Sequence, residues 1–214
     1  MRSTAAAARR ARRVVVVLVT SFAALLASTL AYADGVDVSH WQGTVNWSRV
    51  KAAGMQFAFM KATESTTYTD TQLATNWAGV QAVGMYRGAY HFARPKVGTA
   101  PAQAKYFVSK VGSFQGAGTL PPVLDLEASG GLSVSALRNW TATWLQTVEQ
   151  LTGRTPMIYV SPSFWEYYLG NSTAFTRYPL WIANYGVSSP RVPGGWPTWT
   201  FWQRTSTGSV SGIS

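Results

Sequence analysis

The chain has no cysteine and only two histidines, His40 and His91, in 214 residues. Without thiols there are no disulfides and no thiolate metal sites, so the fold has to be held by its apolar core. Two histidines are too few for a histidine-rich metal cage, and no metal or other cofactor is expected. Acidic residues are scarce as well: eight Asp and Glu stand against eighteen Lys and Arg, a formal net charge of +10. The basic residues past the amino terminus are scattered rather than clustered, which argues against a nucleic-acid partner. No low-complexity stretch or linker interrupts the chain after its first segment, although Pro193 to Pro197 is a turn-rich loop.

Much of the positive charge sits at the start. Arg2, Arg9, Arg10, Arg12 and Arg13 precede an apolar run from Val14 to Leu30, which ends in Ala31-Tyr32-Ala33. A basic leader, an apolar core and an Ala-x-Ala site read as a secretory signal peptide over residues 1–33, and the run is short for a membrane-spanning helix. Cleavage leaves 34–214, a single domain expected to be a secreted monomer with no membrane attachment. It retains thirteen basic and eight acidic residues, an excess that suits an anionic polymer such as a bacterial cell wall.

Strand and helix signals then alternate. Gly35 to Ser39 reads as a short strand, and Asn46 as the cap of a helix that ends at Gly54. The strand Gln56–Lys61 precedes a helix capped by Asp70, with Leu73, Trp77 and Val80 on one face and Gly84 at its end. Met85–Phe92 is a strand, followed by a helix from Thr99 to Gly112. Pro122–Glu127 is a strand, followed by a helix from Ser133 whose Leu137, Trp140, Trp144, Val148 and Leu151 form one stripe up to Gly153. Beyond it, Met157–Val160, Leu180–Ala183 and Thr200–Gln203 read as strands, with only a short helical turn from Ser163 to Leu169 among them. Repeated β-α units argue for a parallel sheet with right-handed crossovers, closed as an α/β barrel.

The segment Leu120 to Glu127 ends an apolar run in two carboxylates. Side chains two apart on a strand share a face, which places the carboxyl groups of Asp125 and Glu127 about 6 to 7 Å apart. Like charge and partial burial should raise the pKa of one and leave the other ionised, the division of labour that acid catalysis at a glycosidic bond requires. In a barrel the site lies at the carboxyl ends of the strands. Those ends carry Asp37 and Ser39, Lys61 and Glu64, Tyr90 and His91, Asp125 and Glu127, Tyr159 and Ser161, Trp181, Asn184 and Tyr185, and Gln203. Of the many aromatics, Tyr90, Tyr159, Trp181 and Tyr185 stand where a sugar ring would stack.

Six segments in order resemble the glycoside hydrolase family 25 lysozymes, the Chalaropsis-type muramidases: Val36-Asp37-Val38-Ser39 with Trp41-Gln42-Gly43, Phe59 to Glu64, Gly88 to Phe92, Leu124 to Glu127, Leu180 to Tyr185, and Phe201-Trp202-Gln203. The resemblance implies an irregular TIM-like (β/α)5(β)3 barrel that hydrolyses the β-1,4 bond between N-acetylmuramic acid and N-acetylglucosamine in peptidoglycan. It also implies that Glu127 is the general acid, that Asp125 and Asp37 are its acidic partners, and that Tyr159, Trp181 and Gln203 line the groove. Asp125 then acts either as a nucleophile or by orienting the substrate's own N-acetyl group, and the shared strand face favours the latter.

Two other readings are a chitinase-like barrel and a cell-wall binding module without chemistry. The first family places further aspartates where this chain has Val123 and Leu120. The second has no need of Asp37, Asp125 and Glu127 together. Seven candidate strands are legible, and the resembled family carries one more, with an aspartate, where this chain has only Ser206 to Ser214. The expectation is therefore a carboxyl-terminally truncated barrel.

Overall fold

Each strand delivers alternate residues to two different cores, and the helices that follow the strands cover only one of them. The structure, a computed structural model, describes residues 33–112 and 114–213. The expected leader lies outside the described residues except for Ala33. β1 (Gly35–Val38) is followed by a 3-10 turn (His40–Gln42) and α1 (Trp47–Ala52). β2 (Phe57–Glu64) is followed by a two-residue strand β3 (Tyr68–Thr69) and α2 (Leu73–Ala82). Next come β4 (Tyr86–Phe92) with α3 (Ala100–Val111), β5 (Val123–Asp125) with α4 (Val134–Thr152), and β6 (Met157–Val160) with α5 (Pro162–Tyr168). β7 (Leu180–Ala183) and β8 (Phe201–Gln203) have no helix between them. The order across the sheet is β1-β2-β4-β5-β6-β7-β8, every neighbouring pair parallel, with β3 antiparallel on the end of β2. This is the expected series of β-α units followed by bare strands. Among the described residues, no helix is long and apolar enough to cross a membrane.

The outer core lies between sheet and helices. Ala58, Met60, Leu124, Leu126, Ile158, Val160 and Ile182 point into it and meet Phe107, Leu137, Trp144, Leu145 and Val148 from α3 and α4. Burying an aromatic or aliphatic side chain of this kind contributes roughly 1.5–3 kcal/mol. The α4 stripe ends one residue earlier than its periodicity implies: Leu151 is 49% exposed, because Gly153 takes the left-handed conformation and turns the chain away.

The inner core shows that the sheet is curled. Phe59 of β2 stacks on Trp181 of β7, with centroids 4.4 Å apart, and meets Phe201 of β8 edge-on at 5.1 Å. Strands at opposite ends of the sheet order touch only if the sheet wraps on itself, giving an irregular TIM-like barrel. Gly88 is what admits Phe59: a Cβ there would lie 2.3 Å from the Phe59 ring. Between β8 and β1 no ladder forms among the described residues. Side chains bridge that seam, with Gln203 donating to Asp37 at 2.8 Å and Arg204 to Asp34 at 2.7 Å. The segment after β8 returns to α1, where the Asn46 N–H donates to the Gly212 carbonyl at 2.8 Å.

Several local expectations need correction. The last strand-like residues before Glu127 are shorter in the sheet than their pattern, since pairing stops at Asp125. Asp70 does not cap α2; the cap position is Gln72, and Asp70 instead accepts from the Gln72 N–H and from His40. Thr99 does hold the cap position of α3, but its hydroxyl turns back to the Lys96 carbonyl rather than capping the helix. Asn46, Ser133 and Ser161 cap their helices with their side chains.

Candidate active site

All eight carboxylates lie in the described residues, and five of them face a basic group. Asp34 pairs with Arg204, Glu64 with Lys61 and Arg94, Asp70 with the His40 ring, Glu149 with Arg177, and Glu166 with Arg191. The remaining three are Asp37, Asp125 and Glu127, which have no such partner among the described residues. They converge at the carboxyl ends of β1 and β5, close enough that each Asp carries the charge of Glu127 as a cause of its perturbed ionisation. Leaving three acids together and unneutralised in an otherwise paired, acid-poor protein is unfavourable for folding, which makes them the candidate functional cluster.

Asp125 is 5% exposed, and Glu127 is exposed at the rim. Burial pushes the Asp125 carboxyl well above the ordinary carboxylate range; the nearby Glu127 carboxyl adds to this, and Asp37 adds further, while Lys61 opposes. Regular strand geometry ends at Asp125, two residues before Glu127. The raised group of the pair is the inner aspartate.

Asp37 is half-buried, and desolvation of its carboxyl raises its pKa, opposed by the bond from Gln203 and reinforced by the charge of Glu127. Gln203 is the hub of this side. Its Nε2 donates to Asp37 Oδ2 at 2.8 Å, while its Oε1 accepts from the Tyr159 hydroxyl at 2.7 Å and the Tyr185 hydroxyl at 2.5 Å. A carboxylate only accepts, so the amide has one consistent orientation. Burial raises the Tyr159 and Tyr185 hydroxyls above their ordinary pKa, so both stay protonated as donors.

Tyr90, opposite Val123 on the neighbouring strand, is half-buried; burial first, and then the charges of Asp125 and Asp37, hold its hydroxyl well above its ordinary pKa. Trp181 is only 5% exposed, packed between Phe59 and Tyr159, and so forms the floor of the site rather than an open face. Its residue is in the expected place, but its ring is part of the inner core. His91 points the other way. It lies in the outer core, stacked on Trp144 with centroids 5.6 Å apart, and is held by Thr63 at 2.8 Å and Gln103 at 2.9 Å.

A cavity of about 350 Å³ opens beside Glu127, lined by Tyr159, Ser161, Asn184, Tyr185 and Arg191 among others. Arg191 was not legible as a site residue. It lies in the loop after β7, and its N–H reaches Asn184 Oδ1 at 2.9 Å, a contact with no periodic signature. Lys61 is brought in by an irregularity: the register between β2 and β4 slips between Lys61 and Thr63. That bulge lets Lys61 Nζ reach Glu64 at 2.5 Å, three residues on.

The glycosyl hydrolases family 25 profile matches residues 36–213, nearly all of the described chain. Lysozyme M1 of Streptomyces globisporus is 46% identical over 188 residues, covering 84% of this chain and 64% of that protein. This chain thus spans just under two thirds of the length of that relative. The N,O-diacetylmuramidase of Chalaropsis sp is 40% identical over 190 residues, covering 83% of this chain and 90% of that one. Among solved structures, the bacterial lysozyme from Streptomyces coelicolor superposes with a TM-score of 0.82 at 43% identity, covering 86% of this chain and 89% of that chain. A profile match over most of the chain, joined to likeness in both sequence and structure, decides the matter: the chain belongs to glycosyl hydrolases family 25.

Proposed function

We propose that the chain is a secreted muramidase that hydrolyses the β-1,4 bond between N-acetylmuramic acid and N-acetylglucosamine in peptidoglycan. The observation that carries this reading is the Asp125–Glu127 pair, a buried and an exposed carboxyl group at the end of β5, with no neutralising cation bonded to either among the described residues. The names of the relatives, lysozyme and N,O-diacetylmuramidase, support the substrate class. The basic leader, apolar run and Ala31-Tyr32-Ala33 site support secretion.

Glu127, at the open end of the pair, is the general acid. It gives its proton to the glycosidic oxygen as the bond to the anomeric carbon breaks. A nucleophile working across the bond from an acid needs carboxyl groups about 5–5.5 Å apart, and an inverting pair needs more. Two carboxyl groups carried at the end of one strand sit on one side of the bond more readily than across it, so the attack comes from the carbonyl oxygen of the substrate's N-acetyl group, with Asp125 orienting that group and balancing the positive charge that develops on it. Tyr159, Tyr185 and Asp37, tied together by Gln203, line the opposite wall of the groove, and Tyr90 completes it. Suspensions of purified bacterial cell wall should clear with the wild-type protein and stay turbid with Glu127→Gln. Binding to the wall without clearing in the wild type would favour a wall-binding module instead.

A further inference from the structure

The cavity beside Glu127 accounts for one flank of the carboxylates, at the ends of β5, β6 and β7. The other flank, beyond β1 and β2, carries a feature that the proposed chemistry does not use. Trp41 is 80% exposed, the second most exposed large apolar side chain among the described residues, on the one-turn helix that follows β1. This turn is rigidly built. Ser39 and Gln42 form a reciprocal capping box, with the Ser39 side chain accepting from the Trp41 N–H and Gln42 Oε1 accepting from the Ser39 N–H at 2.8 Å.

The Trp41 ring is backed by His40, with centroids 4.7 Å apart and planes inclined by 36°. His40 is itself fixed from below. Its Nδ1 lies 2.8 Å from the buried Asp70 carboxylate and 3.0 Å from the Tyr68 hydroxyl, and its N–H donates to the same carboxylate oxygen at 3.1 Å. Tyr68 in turn faces Lys61 Nζ at 5.4 Å, so the cluster continues to the site. Asp37, four residues before Trp41 on the strand that leads into this turn, is already a wall of the groove.

We propose that Trp41 is the platform of a distal subsite, on which a sugar ring of the same glycan strand stacks while the strand crosses the carboxylates toward the cavity on the far side. The inference rests on the glycan-hydrolase reading. A large indole held open to water on a capped turn, with a buried carboxylate anchoring the ring behind it, is preorganised for a flat ligand, and a sugar ring presents an apolar C–H face to such a surface. Continuity with Asp37 selects the glycan over any other occupant.

The test uses linear glycan strands stripped of peptide, titrated against the full chain carrying Glu127→Gln, alone and combined with Trp41→Ala or Trp41→Phe. Trp41→Ala is expected to weaken binding of long strands about 5- to 10-fold, Trp41→Phe to recover most of that, and the loss to shrink when the probe is a disaccharide. The melting temperature, measured alongside, should not move. Equal affinity for long strands with and without the indole overturns the subsite, as does a dependence on Trp41 that shows only on strands still bearing peptides. The parent reading fails separately: Trp41-dependent binding by a wild-type protein that releases no reducing ends would leave the subsite standing and remove the hydrolase.

Discussion

Gln203 Nε2 donates to Asp37 Oδ2 at 2.8 Å across 166 residues of sequence, joining the last strand to the first where no backbone ladder does. The same amide accepts from Tyr159 and Tyr185, so one side chain sets the position of three groups lining the groove. Gln203→Ala should lower kcat roughly 10- to 100-fold and leave the Tyr159 hydroxyl without its partner, at a stability cost of about 1–3 kcal/mol. Gln203→Glu should do more damage at neutral pH, by placing a like charge against Asp37, and recover on acidification as the new carboxyl becomes able to donate. A pH–rate profile of both variants checks this; parallel profiles would argue against the hub.

Removing the exposed acid is the more direct intervention. Glu127→Gln should fold normally, since the residue is at the surface, and lose roughly 10²- to 10⁴-fold in rate, the usual share of a general acid. Circular dichroism and hydrolysis rates on the same preparation are sufficient. A folded variant with an unaltered rate would remove Glu127 from the mechanism.

Asp125→Asn is expected to inactivate and stabilise together. A carboxyl whose folded pKa is raised contributes most below its unfolded value, and that contribution is lost as pH rises through the folded pKa. The amide never ionises, so the melting advantage of the variant should be smallest near pH 4 and grow as pH rises, reaching roughly 0.5–2 kcal/mol. Differential scanning calorimetry across pH 4 to 8 reads it directly, and an advantage that shrinks with rising pH would contradict the raised Asp125 carboxyl.

His91 gives a dependence of the opposite sign. Burial pushes its imidazole down from 6.5 to about 4, with the bond to Gln103 opposing. Between those values the unfolded chain binds a proton that the folded one refuses, so stability falls as pH drops from about 6.5 to about 4, by on the order of 3 kcal/mol from this group. His91→Gln should melt lower at neutral pH and show a flatter profile over that window. An unchanged slope would mean that the acid sensitivity arises elsewhere.

The strands were legible because the barrel's two cores impose a period of two, with Phe57, Phe59 and Lys61 inward and Ala58 and Met60 outward. Asp125 and Glu127 stood out because acids are few and these two stand two residues apart at the end of an apolar run. What escaped depends on contacts distant in sequence or on broken regularity. The bulge after Lys61 and the two-residue β3 have no periodic pattern to read. His91 and Trp181 sit at strand ends like site residues, yet one turns outward to Trp144 and the other is sealed under Phe59. Arg191 is delivered by a loop and reaches Asn184 through a contact that no local pattern announces.

The central claim concerns one bond, and the new ends it leaves identify it. Purified peptidoglycan digested to completion, reduced with borohydride and then hydrolysed to its sugars should yield muramitol in amounts that rise with digestion. Glucosaminitol in its place, or free peptide termini without new sugar ends, would contradict the assignment.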